Sequence, residues 1–126
     1  MNERRCPCGS GETLAACCGR FLSGGVAPTA EVLMRSRFTA FAVGDREYLL
    51  DTWHPSTRPL SVDLDEGTRW LHLEIVDVVD GSLFDDAGIV EFTAVYRDAD
   101  GRGDMTERST FERVDGRWLY VSGVHR

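Results

Sequence analysis

The chain has no lysine, and no cysteine beyond position 18. All 14 basic residues are arginine. That uniformity reads as compositional habit, so arginine number alone is no evidence for phosphate binding. No apolar run nears the ~18 residues of a membrane span. Met1-Asn-Glu-Arg-Arg5 leads straight into the first cysteine with no hydrophobic stretch behind it, which predicts no secretory signal and a cytoplasmic location. There is no serine–histidine–acid pattern, phosphate loop or dinucleotide fingerprint. Gly9-Ser-Gly11 is too short for either glycine-rich motif. Internal repeats and low-complexity tracts are also missing.

What is present fits a globular chain of 126 residues, 42% apolar and 28% charged, with room for one domain and a small appendage. The net charge of −7 is unevenly spread. Residues 1–59 hold seven Arg against six Asp/Glu, and residues 60–126 hold seven Arg against fifteen Asp/Glu. An acidic second half argues against a nucleic-acid-binding sheet, so no direct DNA binding is expected.

All four cysteines crowd into residues 6–18 as C-x-C-x8-C-C: Cys6, Cys8, Cys17 and Cys18. Four thiolates satisfy tetrahedral Zn²⁺, and a closed four-ligand site is structural. The spacing predicts a tight knuckle at Cys6-Pro7-Cys8, with Gly9 and Gly11 bending the chain so that amide N–H groups face the sulfurs. Thr13–Cys18 can form about one and a half helical turns, with Gly19 as the stop. Adjacent helical residues point about 100° apart, so Cys17 and Cys18 reach one ion only if the helix ends there. Arg4, Arg5 and Arg20 stand ready to offset the thiolate charge. The plainer alternatives are two disulfides or four free thiols. Disulfides call for an export signal, and Cys17 and Cys18 are too close to bridge each other comfortably.

Cys6-Pro-Cys-Gly-Ser-Gly11 followed by Cys17-Cys-Gly19 resembles the SEC-C zinc motif of bacterial proteins, including the translocation ATPase SecA. The resemblance implies Zn²⁺ as cofactor and a protein or ribosome as partner. The lysine-rich middle common in that motif is replaced here by Glu12-Thr-Leu-Ala-Ala16, which weakens a ribosomal or nucleic-acid contact.

Residues 21–27 read as a linker centred on Ser23-Gly24-Gly25, separating the zinc motif (1–22) from a second unit (28–126). Thr29 is a candidate N-cap and Gly44 a candidate stop for a helix over 30–43, with Leu33, Met34, Phe38, Phe41 and Ala42 on one face. Asp45 opens a shorter helix over 46–53, closed by His54-Pro55. Asp63–Arg69 can make a single helical turn. Strands follow. The first runs from Trp70 to Val79, with Leu71, Leu73 and Ile75 on one face and a bulge at Val76. The second spans Ile89–Arg97, the third Met105–Val114 after a loop at 98–104, and the last Trp118–Val124 after the turn Asp115-Gly116. The class is α+β: two or three helices on a curved antiparallel sheet of about four strands, preceded by a zinc knuckle. The fold is similar to the nuclear-transport-factor-2 (NTF2) or cystatin-type cone, which often encloses a pocket.

Four motifs, Leu33-Met-Arg-Ser-Arg-Phe-x-Ala-Phe41, Tyr48-Leu-x-x-Thr-Trp-His-Pro55, Glu107-Arg-Ser-x-Phe111 and Gly116-x-Trp-x-Tyr120, together resemble the bacterial YchJ-like family. That resemblance implies a SEC-C motif joined to an NTF2-like cone. It implies no activity.

His54 is the candidate for proton transfer, with Asp51 or Glu107 as the acid partner. Capping or plain exposure is the simpler account of it. His72 falls on the strand face opposite Leu71 and Leu73, and His125 lies near the end of the chain. Arg35, Arg37, Tyr48, Trp53, Glu107, Ser109 and Trp118 are the candidate pocket residues. Arg108 would join them as an anion cluster if helix and third strand face each other, but alternation sends Glu107 and Ser109 to one side and Arg108 to the other. Ordinary ion pairing explains these arginines more simply, and core packing explains the aromatics. Two functions follow: a binding module docking a protein or ribosome, with a small ligand possible in the cone, or an acid–base enzyme using His54 in the cone cavity. The lack of a firm acid–base pair favours binding. Since a linker separates the units, Cys8→Ser is expected to release zinc and leave the cone folded.

Overall fold

The computed structural model describes residues 4–126. Helix α1 (Gly19–Leu22) leads into α2 (Ala30–Val43) and α3 (Arg46–Asp51). Four strands follow, β1 (Arg69–Asp80), β2 (Ala87–Asp98), β3 (Gly101–Val114) and β4 (Arg117–His125). They form one antiparallel meander in the order β1-β2-β3-β4. This is the expected α+β architecture.

Local chemistry sets the element ends. The Thr29 hydroxyl accepts the Val32 N–H at 3.1 Å and starts α2. Gly44 ends it in the left-handed region at φ 81°. The Asp45 carboxylate accepts the Tyr48 N–H at 3.0 Å and starts α3. No helical turn forms at 63–69. Instead Asp65 accepts from the Gly67 N–H at 2.8 Å and the Thr68 hydroxyl at 3.0 Å, and those local bonds hold an isolated turn. Asp115 and Gly116 take φ values of 52° and 80° and close the β3–β4 hairpin. The β2–β3 hairpin is tighter than expected. Asp98 pairs with Gly101, so β3 starts at Gly101 and the supposed loop at 98–104 is mostly strand.

The β1–β2 register shifts between Ile75 and Asp77, placing a bulge at Val76 as the sequence predicts. A second shift, between Trp70 and His72, was not legible in the alternation. It changes the face: Trp70, not Leu71, joins Leu73 and Ile75 against the core.

Helix α2 lies across one face of the sheet. Leu33 and Phe38 meet Leu73, Val90, Phe92, Phe111 and Trp118 in one apolar core. Ser36, Arg37 and Thr39 on the same helix are buried too. The helix is covered on more than one side, which a single apolar stripe does not foretell. Residues 52–54 run beside β4, where Tyr120 donates its N–H to the Thr52 carbonyl and accepts from the His54 N–H, both at 2.8 Å.

Candidate functional site

The four cysteines come from two short bends. The Cys6 N–H bonds the Glu12 carbonyl at 2.9 Å, and an isolated antiparallel bridge joins Arg5 to Thr13. Together they fold the first bend back on the second. Residues 14–18 form turns, and helix begins at Gly19 instead of stopping there. A Cβ at Gly19 would lie 2.6 Å from the Leu14 carbonyl oxygen, so close chain approach is what requires glycine. This tight turn aims the Cys17 and Cys18 sulfurs together, which a continuous helix would not.

All four sulfurs lie within 4.8 Å of one another. Cys8 Sγ is 3.7 Å from Cys17 Sγ, and Cys17 Sγ is 3.9 Å from Cys18 Sγ. A disulfide bond is ~2.05 Å long, and all four thiols are free. A regular tetrahedron of sulfurs around zinc has edges of ~3.8 Å for ~2.3 Å bonds. The donor set and its spacing therefore fit one tetrahedral metal ion. The Ser10 hydroxyl donates to Cys17 Sγ at 3.2 Å, and Thr39 Oγ1 lies 3.5 Å from Cys6 Sγ. The Cys18 hydrogen bond holds the Cys8 thiol down at about 4, against its burial, while the same bond and burial push Cys18 upward. Thiols this close share charge readily, the condition under which a cation displaces protons.

Cationic support comes partly from an unforeseen quarter. Arg20 Nε donates to the Cys17 carbonyl at 3.2 Å and Arg5 to the Gly11 carbonyl at 2.9 Å. Arg35, a candidate for the cone pocket, makes the ordinary ion pair that is its simpler account, with Glu31 at 3.2 Å, and also reaches the Cys8 carbonyl at 3.5 Å. Arg35 and Thr39 stand four residues apart on one face of α2, and both address the cysteines. Sequence reasoning missed Thr39. Its i+4 spacing from Arg35 was the only signal for it.

The cysteine clasp packs into the core of the second unit. Cys6, Cys8 and Cys18 are 4%, 0% and 1% exposed and continuous with the cone's apolar core. The expected loose linker is also packed. The Gly25 N–H bonds the Arg20 carbonyl at 2.9 Å, Ser23 caps Gly19, and Ala27 is buried. Phe21 and Ala27 pack against the core while residues 23–26 stay exposed, so the glycines make a turn and not a tether.

Beneath α2 the cone holds a cavity of about 260 Å³, bounded by Phe38, Phe41, Trp53, Trp70, Arg37 and Glu107 among others. Arg37 is 3% exposed. It donates to the Leu49 carbonyl at 2.8 Å and Thr52 Oγ1 at 2.7 Å, and its guanidinium stacks over Tyr120 and Trp53 at 4.6 and 5.1 Å. Burial pushes it down to about 10, while Tyr120, Tyr48 and Glu107 act the other way; it stays charged at neutral pH. Burial and the Glu107 charge raise Tyr120 to about 12.

The remaining candidates scatter. Tyr48 and Trp118 border a different cleft, of about 190 Å³, which also includes Asp51. Ser109 is buried behind Glu107, donating to it at 2.6 Å. Arg108 faces the other side and pairs with Asp77 and Glu91, both at 3.1 Å, as alternation requires. His54 is not at the cavity. Its Nε2 lies 3.1 Å from Glu112, its Nδ1 accepts from the Ser56 N–H at 3.0 Å, and neither Asp51 nor Glu107 is its partner. The Tyr120 backbone bond swings it to the outer edge of β4. His72 pairs with Glu74 at 3.4 Å. No described helix is long and apolar enough to cross a membrane.

A family model described as the YchJ middle NTF2-like domain matches residues 29–123, and one for the SEC-C motif matches residues 5–20. A UPF0225 protein from Streptomyces coelicolor is 57% identical over 119 residues, covering 94% of this chain and 93% of the relative. Another, from Deinococcus radiodurans, is 45% identical over 121 residues, covering 94% and 88%. The solution structure of a SEC-C motif containing protein from Rhodopseudomonas palustris superposes with a TM-score of 0.83 at 35% identity, covering 98% of both chains. The crystal structure of a SEC-C motif containing protein from Psychrobacter arcticus gives 0.78 at 27% identity, covering 93% of this chain and 80% of that one.

Proposed function

Since the chain belongs to the YchJ family, a SEC-C motif joined to an NTF2-like domain, we propose that it is a zinc-clasped binding protein and not an enzyme. One observation carries this: four free thiols within 4.8 Å of each other, three of them buried. Four thiolates close the coordination sphere and leave no position for a substrate or a reactive water. Zinc is the metal best matched to a redox-silent tetrathiolate, with iron the competitor for the same donors. Free thiols of this kind belong in a reducing compartment, the cytoplasm.

The clasp's outer side is the docking face for a protein or ribosomal partner. Arg4 and Arg20 flank a shallow groove with Leu14 and Ala15 in it. The thiolate–metal unit carries a formal charge of about −2, which neighbouring arginines offset, so the face attracts a mixed surface more than a bare polyanion. Elemental analysis of reduced protein should find one zinc per chain. Protein without tightly held metal would overturn the clasp, and iron would replace the metal while keeping it. Co-sedimentation with ribosomes and in-cell crosslinking should weaken together in the Arg4→Ala/Arg20→Ala double variant. Undiminished capture by that variant would remove this face from the account.

A further inference from the structure

The geometry points to the cone cavity as a binding site for a flat, uncharged aromatic molecule that carries a hydrogen-bond donor and acceptor side by side, as an aromatic carboxamide or lactam does. The volume comes first. At about 260 Å³ the space falls just under the ~300–1,000 Å³ of drug-sized pockets and suits about 10–15 non-hydrogen atoms. Its walls are aromatic. Trp70 meets Phe38 edge-on at 6.1 Å and Phe41 at 6.3 Å, an arrangement that leaves ring faces for a planar guest.

The charges come second. Arg37 and Glu107 both border the cavity, yet they form no ion pair with each other among the described residues. Two opposite charges held apart in one apolar chamber are costly unless something bridges them. Among the described residues only Nη1 of Arg37 is engaged, through Leu49 and Thr52, which leaves Nε and Nη2 as free donors. Glu107 is pinned on one side by the Ser109 hydroxyl at 2.6 Å, with the Tyr120 hydroxyl 3.5 Å from the same oxygen. A Cβ at Gly123 would collide with Glu107 Oε2, so glycine there leaves room for the carboxylate in this position. Its other oxygen faces His125 at 3.6 Å, whose side chain is 74% exposed. Trp53, a further wall residue, has the buried side-chain N–H with no partner among the described residues. A guest carbonyl accepting from Arg37 and a guest N–H donating to Glu107 would satisfy both walls. A charged guest would leave one wall charge uncompensated.

The test uses 2-naphthamide, with 2-naphthoate and 2-naphthylmethylammonium as charged analogues, against the full chain. Indole N–H resonances of Trp53, Trp70 and Trp118 report binding by NMR. The amide should shift Trp53 and Trp70, leave Trp118 in place, and bind about tenfold tighter than either analogue, the worth of one hydrogen bond to a charged group. Glu107→Gln should weaken it about tenfold, and Ala94→Leu, which fills the cavity from β2, should abolish it. Ala94→Leu keeps the question decidable should Glu107→Gln fold poorly. No shift at about 5 mM probe, equal binding of all three probes, or binding unchanged in Ala94→Leu would each overturn the proposal.

Discussion

Residues 4–20 and the sheet of residues 69–125 reach order by opposite means. The sheet has three antiparallel ladders, two of them interrupted by bulges, and an apolar core that includes Phe111, which is 1% exposed. The clasp has a single isolated bridge and a few turn bonds. A segment that short cannot bury enough apolar surface to fold by itself, and metal–thiolate bonds commonly substitute for a core at that size. Yet three of the four clasp cysteines are as buried as the sheet's phenylalanines, with Cys17 half-buried. The comparison teaches that the two regions share a core, in which helix and sheet residues supply apolar cover for the cysteines.

The largest effect should come from breaking the clasp. Cys8 is fully buried and touches both halves. Cys8→Ser is expected to lose the metal and about 5 kcal/mol or more, since metal-binding energy in such sites is folding energy. Thermal melting of the whole β-signal should fall with it. A sheet that melts at the wild-type temperature would restore the separable knuckle that the linker-like sequence suggests. Acid should act in the same direction. Every ligand must shed its proton to bind, and burial raises Cys17, so metal affinity falls as pH falls.

Next in size is the reverse experiment. Phe111→Ala removes a buried ring from the sheet and should cost about 3–5 kcal/mol. At temperatures where this variant stays folded, metal stoichiometry should remain one per chain. Metal loss from folded Phe111→Ala would mean that the clasp depends on the sheet's fine packing, and not merely on its presence.

The sequence showed the two halves unequally. Cysteine spacing located the thiol cluster, and alternation in β2 and the slip at Val76 located the sheet, because close cysteine spacing and strand periodicity are both local. The Trp70/His72 shift escaped, since one unpaired residue leaves little trace in a short alternation. So did the burial of Arg37 and Thr39. Polar residues enter a core only when distant groups satisfy them, here Leu49, Thr52 and the Cys6 sulfur. The position of His54 away from the cavity also depends on a distant group. A backbone bond to Tyr120, far along the chain, decides which way it faces. Ser23-Gly24-Gly25 looked like a tether because glycine marks a bend equally well in loose and packed chain.

Thr39 is the smallest lever and the sharpest test of a shared core. It lies fully buried on α2 with its hydroxyl 3.5 Å from Cys6 Sγ, four residues after Arg35, which reaches the Cys8 carbonyl. Valine has the same shape without the donor. If Thr39 only fills space, Thr39→Val should leave metal affinity alone and change stability little. If it donates to a metal-bound thiolate, losing that bond should cost about 1 kcal/mol and weaken metal retention about 10- to 100-fold, as for other supporting hydrogen bonds to ligands. Competition with a chelator measures the second quantity independently of melting. Thr39→Ser, which keeps the hydroxyl, should retain metal as the wild type does while sacrificing the methyl group's packing, and so separates the hydroxyl's contribution from the shape it occupies. Unchanged chelator competition in Thr39→Val would leave the helix as mere cover for the cysteines, and the two regions as neighbours with no chemical tie through that residue.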